Sequence, residues 1–290
     1  MNRKTEGFLW LAVTIFFFST YEIVGSTLSG SVHPLFLSAF RFTLGGLLLL
    51  PFASFPKNGK DWLGLFFLGV LNVVIAMGLL QLSLSYAEAS VAAILFSTNP
   101  LFVGIVAAMA GDKISGKEIV GLGIGFLGVI IIAGPASFEN WLGPVLALAS
   151  AAIFGLYSYL GRSYAQRLGS AAANSISFLL GGGFAFLLLP AFRVPIWQVT
   201  SGNILPLLYL SIFVTGLAYY AYLRGLSLLP PAAGSAAFFA KPALSALLAW
   251  FVLGEQLVWW KLAGIAVIIA GMTQTVSGKG KLPDRQSPPA

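Results

Sequence analysis

The sequence predicts an all-α integral membrane protein of ten transmembrane helices, arranged as a five-plus-five inverted repeat. Three observations carry that expectation. Of 290 residues, 58% are hydrophobic and only 9% are charged, where a typical globular chain carries roughly 25% charged residues. Apolar runs of about 20 residues recur along the chain, each long enough to cross a hydrocarbon core roughly 30 Å thick. The two halves also resemble each other at a slowly growing offset. The same composition excludes other classes. The chain has no Cys and one His, which leaves no disulfide framework, thiolate site or imidazole cluster, so no metal and no cofactor are expected. The net charge of +7 comes from basic residues scattered between spans. No nucleic-acid partner is expected from such scatter.

The segments run Phe8–Thr27, Pro34–Ala53, Trp62–Ser83, Ser90–Ala110, Lys117–Ala133, Gly143–Arg162, Ala172–Phe192, Pro206–Leu226, Ala232–Leu253 and Val258–Val276. The first follows Arg3 and Lys4 as a signal peptide would. It has full spanning length, however, and no small-x-small cleavage site follows, so it reads as a retained span. Trp10, Trp62, Trp141, Trp259 and Trp260 lie near segment boundaries, where aromatic belts form. Ser115-x-x-Glu118 reads as a capping box opening the fifth segment, and Asp112 and Glu255 as caps in turns. Gly121-x-x-x-Gly125 and the Gly264/Gly271 pair permit close helix contact, within the repeat or in a homodimer. Gly181-Gly182-Gly183 follows no strand and reads as packing rather than a phosphate cradle.

Basic residues assign the sides. With the N-terminus inside, Arg3, Lys4, Lys57, Lys60, Lys113, Lys117, Arg162, Arg167, Lys279, Lys281 and Arg285 all fall on the inner face, against Arg193 and Lys261 outside. By the positive-inside rule both termini are expected to be cytoplasmic, in a bacterial inner membrane.

The repeat is read from ordered matches. At an offset of 136, Phe18 and Tyr21 meet Phe154 and Tyr157, and at 139, Leu48-Leu49-Leu50-Pro51 meets Leu187-Leu188-Leu189-Pro190. At 142, Leu84, Ser85 and Pro100 meet Leu226, Ser227 and Pro242, and at 143, Gly111, Gly121 and Gly128 meet Gly254, Gly264 and Gly271. The first repeat is expected over 1–134, the second over 143–276, and a disordered cytoplasmic tail over 277–290. Five helices per copy is an odd number, so the second copy lies upside down. That plan recurs in secondary transporters, with substrate held near the midplane between halves.

Several of these residues carry a family likeness. His33-Pro34-Leu35 leads to Arg41-Phe42 in the second segment, Pro100 and Pro242 sit midway along the fourth and ninth, and Gly111-Asp112 and Gly254-Glu255 precede Gly-rich spans. From Phe8 to about Val276 the chain resembles the drug/metabolite transporter superfamily, in particular its EamA-like ten-helix transporters. It departs from them at Asp112, where Glu is usual, and at Glu22, where an uncharged residue is usual. The resemblance implies a transporter rather than an enzyme, with amino acids or related metabolites as the leading substrate class.

Ionisable groups inside lipid cost roughly 2.5–3.5 kcal/mol each on insertion scales, and three stand out. Glu22 lies about 7 Å and Arg41 about 4 Å outward of the middle of their helices. Such depths suit an ion pair, either purely structural or serving as a proton site or gate. Lys241 precedes Pro242 as Asn99 precedes Pro100. The two prolines break their helices at one depth, which marks a lined cavity or, more plainly, a pair of kinks. Lys241 is read as a cavity cation, with snorkelling as its bland alternative.

The repeat aligns Glu22 with Ser158, Arg41 with Leu180 and Asn99 with Lys241. Symmetry is therefore broken where an asymmetric substrate would bind. Arg41 and Lys241 against Glu22 leave one positive charge, which suits a carboxylate-bearing solute. Asn72, Gln81, Tyr157, Tyr219 and Tyr222 complete the candidate substrate-binding set, each with helix packing as its alternative. The expectation is a secondary active transporter, working by alternating access, that exports or exchanges a small metabolite. It would be surrounded by lipid, as a monomer or homodimer. The rival readings are a channel, a multidrug or nucleotide-type carrier, and an intramembrane enzyme.

Overall fold

A computed structural model describes residues 2–28, 30–83, 86, 89–133, 141–253 and 259–276. The first five helices are α1 (Arg3–Ser19, continuing as Tyr21–Ser26), α2 (Pro34–Leu49), α3 (Gly59–Ser83), α4 (Ala89–Phe96, then Asn99–Met109) and α5 (Gly116–Ala133). The next three are α6 (Leu142–Leu168), α7 (Ser170–Leu188) and α8 (Ile204–Leu228). Then come α9 (Pro231–Ala236, a 3₁₀ turn Ala237–Phe239, and Ala240–Leu253) and α10 (Trp259–Val276). No strand occurs among the described residues. Helices α2, α3, α6, α7 and α8 are long and apolar enough to cross a membrane. The protein is a multi-span helical membrane protein.

Local chemistry explains the helix starts. The His33 ring nitrogen accepts from Leu35 N at 3.2 Å, with Pro34 in the first turn of α2. Asn58 Oδ1 accepts from Asp61 N at 2.7 Å at the start of α3. The capping box of α5 is formed: Ser115 N donates to Glu118 Oε2 at 2.8 Å, and Glu118 N to Ser115 Oγ at 3.3 Å. Asp112, expected as a cap, lies instead within electrostatic reach of Tyr159 and Arg162. The Ser115 hydroxyl already serves the helix end. Glu255 lies outside the described residues.

The packing has a two-fold pattern. Helix α2 packs on α7, α4 on α9 and α5 on α10, while α1 meets α8 as α6 meets α3. Glycines show the direction of the self-matched pairs. Gly121 abuts Gly271, and Gly128 abuts Gly264 and Ile268. Numbers rise along α5 as they fall along α10, so the two run antiparallel. The same holds for α2 and α7, where Gly46 meets Ser175 and Leu179 while Thr43 meets Gly182. Helices exchanged by a two-fold axis along themselves would be parallel. Antiparallel partners therefore put the axis across the helices, in the membrane plane.

Hydrogen bonds repeat the symmetry atom for atom. Helices α3 and α8 each contain a π-helical segment, Val70–Ala76 and Leu210–Leu217. At the exit of each, a hydroxyl from the other half serves the backbone. Ser150 Oγ of α6 donates to Ala76 O at 2.6 Å, and Thr14 Oγ1 of α1 donates to Ala218 O at 3.1 Å. Thr14 and Ser150 are 136 residues apart, and Ala76 and Ala218 are 142 apart, as the sequence offsets require.

A β-carbon on Gly271 would strike the backbone of Gly121 and Gly125, whereas one on Gly123 would meet nothing. Gly271→Val is expected to cost about 1–3 kcal/mol through overpacking and to lower the thermal unfolding midpoint in detergent. Gly123→Val should leave it unchanged.

Candidate functional site

Pro100 and Pro242 set the site. A proline denies an N–H to the carbonyl four residues earlier, here Phe96 O and Phe238 O. In α4 the Asn99 side chain makes good the loss, its Nδ2 donating to Phe96 O at 3.0 Å. Asn99 Oδ1, fully buried, has no hydrogen-bond partner within the protein. In α9 the chain tightens into its 3₁₀ turn just before Lys241. Phe96 and Phe238, related by the offset of 142, meet with ring centroids 6.2 Å apart. Lys241 is 6% exposed, and its Nζ lies 6.0 Å from the Phe96 ring centroid. Its carbonyl accepts from Ser19 Oγ of α1 at 3.3 Å. The two breaks thus place Asn99 and Lys241 around one phenylalanine pair.

A wall of packed aromatic rings lies beside them. Phe154 of α6 stacks on Tyr222 of α8 at 5.7 Å, and Phe238 leans on both at 5.8 and 5.9 Å. Tyr219 packs edge-on against Phe18 at 5.0 Å and Phe42 at 5.4 Å. The tyrosine hydroxyls are not equivalent. Tyr157 donates to Asn174 Oδ1 at 3.3 Å, and Asn174 Nδ2 donates to Ser170 O and Tyr219 O, both at 3.0 Å. Tyr222 donates to Ser158 Oγ at 2.8 Å, which in turn donates to Phe154 O at 2.7 Å. Tyr157 and Tyr222 therefore present ring faces, because their hydroxyls are already committed. Tyr219 OH has only Met77 Sδ at 3.9 Å, a weak acceptor.

A second polar spot adjoins Tyr219. The Arg41 guanidinium lies 4.6 Å over the Phe42 ring and 5.0 Å over Tyr21, and its Nε has no hydrogen-bond partner. The Tyr21 hydroxyl accepts from Gln81 Nε2 at 2.6 Å, so Gln81 is engaged with α1. Asn72, in the π-helical segment of α3, is fully buried with both amide atoms unpartnered. The Tyr219 hydroxyl approaches Asn72 and is in reach of Arg41, but the Asn72 contact lacks hydrogen-bond geometry. Buried polar atoms without partners are rare, and four of the eight among the described residues, on Arg41, Asn72 and Asn99, belong to this cluster. The Glu22 side chain lies outside the described residues, and the expected Glu22–Arg41 pair with it.

Sequence reasoning missed Phe96, Phe154, Phe238, Ser158, Asn174 and Tyr21. Two signals could have found half of them. Phe96 and Phe238 each stand four residues before a paired proline, and Phe154 shares a helix face with Tyr157.

Fold and site together define a membrane protein of two inverted halves, with broken helices meeting at a buried polar and aromatic cluster. Comparison with known proteins places it further. The EamA-like transporter family matches twice, over residues 5–134 and 141–277. An uncharacterized transporter of Clostridium kluyveri is 32% identical, over 96% of each chain. An uncharacterized transporter of Archaeoglobus fulgidus is 25% identical, over 96% of this chain and 99% of its own. A solved crystal structure matches the fold with a TM-score of 0.77 at 21% identity, covering 93% of this chain and 96% of its own. The chain belongs to the EamA-like transporter family.

Asn174 ties α6, α7 and α8 together behind the aromatic wall. Intramembrane hydrogen bonds average about 0.6 kcal/mol. Asn174→Leu, which removes three, is therefore expected to cost about 2 kcal/mol, and Tyr157→Phe, which removes one, about 0.6 kcal/mol. Unfolding midpoints of the two variants would check that ratio.

Proposed function

We propose that the protein is a secondary active transporter, working by alternating access, that exports or exchanges an amino acid or related carboxylate-bearing solute. It would do so in a bacterial inner membrane with both termini cytoplasmic. One observation carries the reading: fully buried, unpartnered polar atoms beside an aromatic wall, where two broken helices of opposite halves meet. Lipid offers such atoms no partner, so a bound solute accounts for them economically. Asn99 Oδ1 is an acceptor, suited to an ammonium group. The half-helices Asn99–Met109 and Ala240–Leu253 begin there, and their positive dipole ends, with Lys241, suit a carboxylate. The rings of Phe154, Tyr222 and Phe238 offer a surface for an apolar side chain. No nucleotide-binding motif is present in the sequence, so a gradient or the exchanged solute would supply the energy.

A thermal-shift screen of purified protein against amino acids and their uncharged analogues tests this. A genuine ligand at 100 times its Kd stabilises by about 2.7 kcal/mol, and the shift should vanish in Lys241→Met. A shift that survives the substitution removes Lys241 from the site. Proteoliposomes loaded with the same solute should show saturable uptake and counterflow, where a channel would show neither.

Glu22 is the proposed proton site, through its effect on Arg41. Glu22→Gln is expected to abolish the pH dependence of transport, and an unchanged pH profile would end that role.

A further inference from the structure

The face that holds the N-terminus and the basic loops carries a pattern that the substrate site does not use. Glu6 Oε1 of α1 pairs with Arg224 Nη2 of α8 at 2.8 Å, and Asp61 Oδ1 of α3 with Arg167 Nη2 of α6 at 2.9 Å. The Arg224 guanidinium, by hydrogen bonding, holds the Glu6 carboxyl below its ordinary range. Asp112, after α4, lies within electrostatic reach of Arg162 of α6. In all three the acid comes from the first half and the cation from the second. All three cations are Arg, whose fork suits carboxylates. Arg162 is itself buried. Its Nε donates to Leu226 O at 2.8 Å and Leu229 O at 3.1 Å, and its Nη2 to Leu229 O at 2.9 Å, closing the end of α8.

The repeat supplies a control for the opposite face. Glu6, Arg162 and Arg167 fall on Leu142, Ser26 and Ser31 at the offset of 136, and Asp61 and Arg224 fall on Asn203 and Leu82 at 142. Glu255 matches Asp112, but the position matching its partner Arg162 is Ser26. The symmetric ties, Thr14 to Ala218 and Ser150 to Ala76, hold the halves together at mid-depth on both sides of the axis. The positions equivalent to the two ion pairs on the opposite face carry no charge. Basic residues on the face that holds the pairs follow from topology, but acids of one half facing arginines of the other do not.

We propose that the two cross-half ion pairs, Glu6–Arg224 and Asp61–Arg167, are a gate that closes the basic, proposed cytoplasmic, face, and that the structure shows the gate shut. This rests on the alternating-access reading above. The pairs are part-exposed, and such pairs are individually weak. A gate needs that, since a solute can shift an equilibrium only by its differential affinity for the two states.

The chain has no Cys, so spin labels can be placed directly. Lys57→Cys with Ser163→Cys reads the basic face, and Ser31→Cys with Gly202→Cys the opposite one, all four positions being exposed. In detergent without solute, Glu6→Arg or Arg224→Glu alone should raise the long-distance population on the basic face about fivefold and shorten the distance on the other. The combined swap, Glu6→Arg with Arg224→Glu, should restore the wild-type distributions. Asp61→Arg and Arg167→Asp should behave alike. Where a reversal does not fold, Glu6→Gln and Asp61→Asn are read in its place. Unchanged distances, a swap that fails to restore, or broadening at both faces together would overturn the gate. These distances need no solute, so their outcome is separate from the counterflow result that tests transport itself.

Discussion

Backbone inside a membrane has no water to fall back on, and that constraint decides where this protein can depart from regular helix. Three of the departures are met by specific side-chain partners. Asn99 supplies the donor that Pro100 withholds from Phe96 O. Ser150 and Thr14 serve the carbonyls where the π-helical segments of α3 and α8 end. Because those hydroxyls come from the opposite half, the irregular turns are stable only in the assembled pair of halves. The π-helical segments, one of which carries Asn72, thus also help join the two halves.

Symmetry and function divide along the same line. The contacts that hold the halves, Gly121 on Gly271 and Gly128 on Gly264, or Thr14 on Ala218 and Ser150 on Ala76, come in matched pairs. The unpartnered polar residues beside the aromatic wall, Arg41, Asn72 and Asn99, do not. Asn99 faces a lysine across the axis, and Ser158, at the position of Glu22, is spent holding Tyr222. Packing only has to be favourable twice, so duplication can preserve it. A site for an asymmetric solute gains nothing from being repeated.

Much of the fold was legible in the sequence, because lipid makes span length and charge placement nearly deterministic. The segments fall close to the observed helices, and the repeat offsets of 136 and 142 reappear in hydrogen bonds between named atoms. The breaks were half legible. Proline located them, but a single span over Ser90–Ala110 does not show that α4 restarts at Asn99. The π-helical segments left no signal, since they need an insertion's worth of winding and no special residue. In the site, ionisable and amide residues were found by their cost in lipid, which Phe96, Phe154 and Phe238 do not incur. Hydroxyl commitments such as Tyr157 to Asn174 depend on which helices touch, and no spacing within one helix reveals that.

The aromatic wall and the charged face share two rods. On α6, Ser158 is one turn from Arg162, and on α8, Tyr222 is one turn from Leu226. Ser158 bonds Tyr222, and Arg162 bonds the Leu226 carbonyl. The two helices are therefore cross-linked twice in succession, once beside the candidate solute and once at the charged face. With the helices fastened at two adjacent turns, a solute that displaced Tyr222 would also displace the arginines of α6 and α8. The acids that those arginines meet stand on α1 and α3 and after α4, in the other half. In the proposed transport cycle, occupancy at the midplane and closure at the basic face would be joined by these two helices rather than by a relay of side chains.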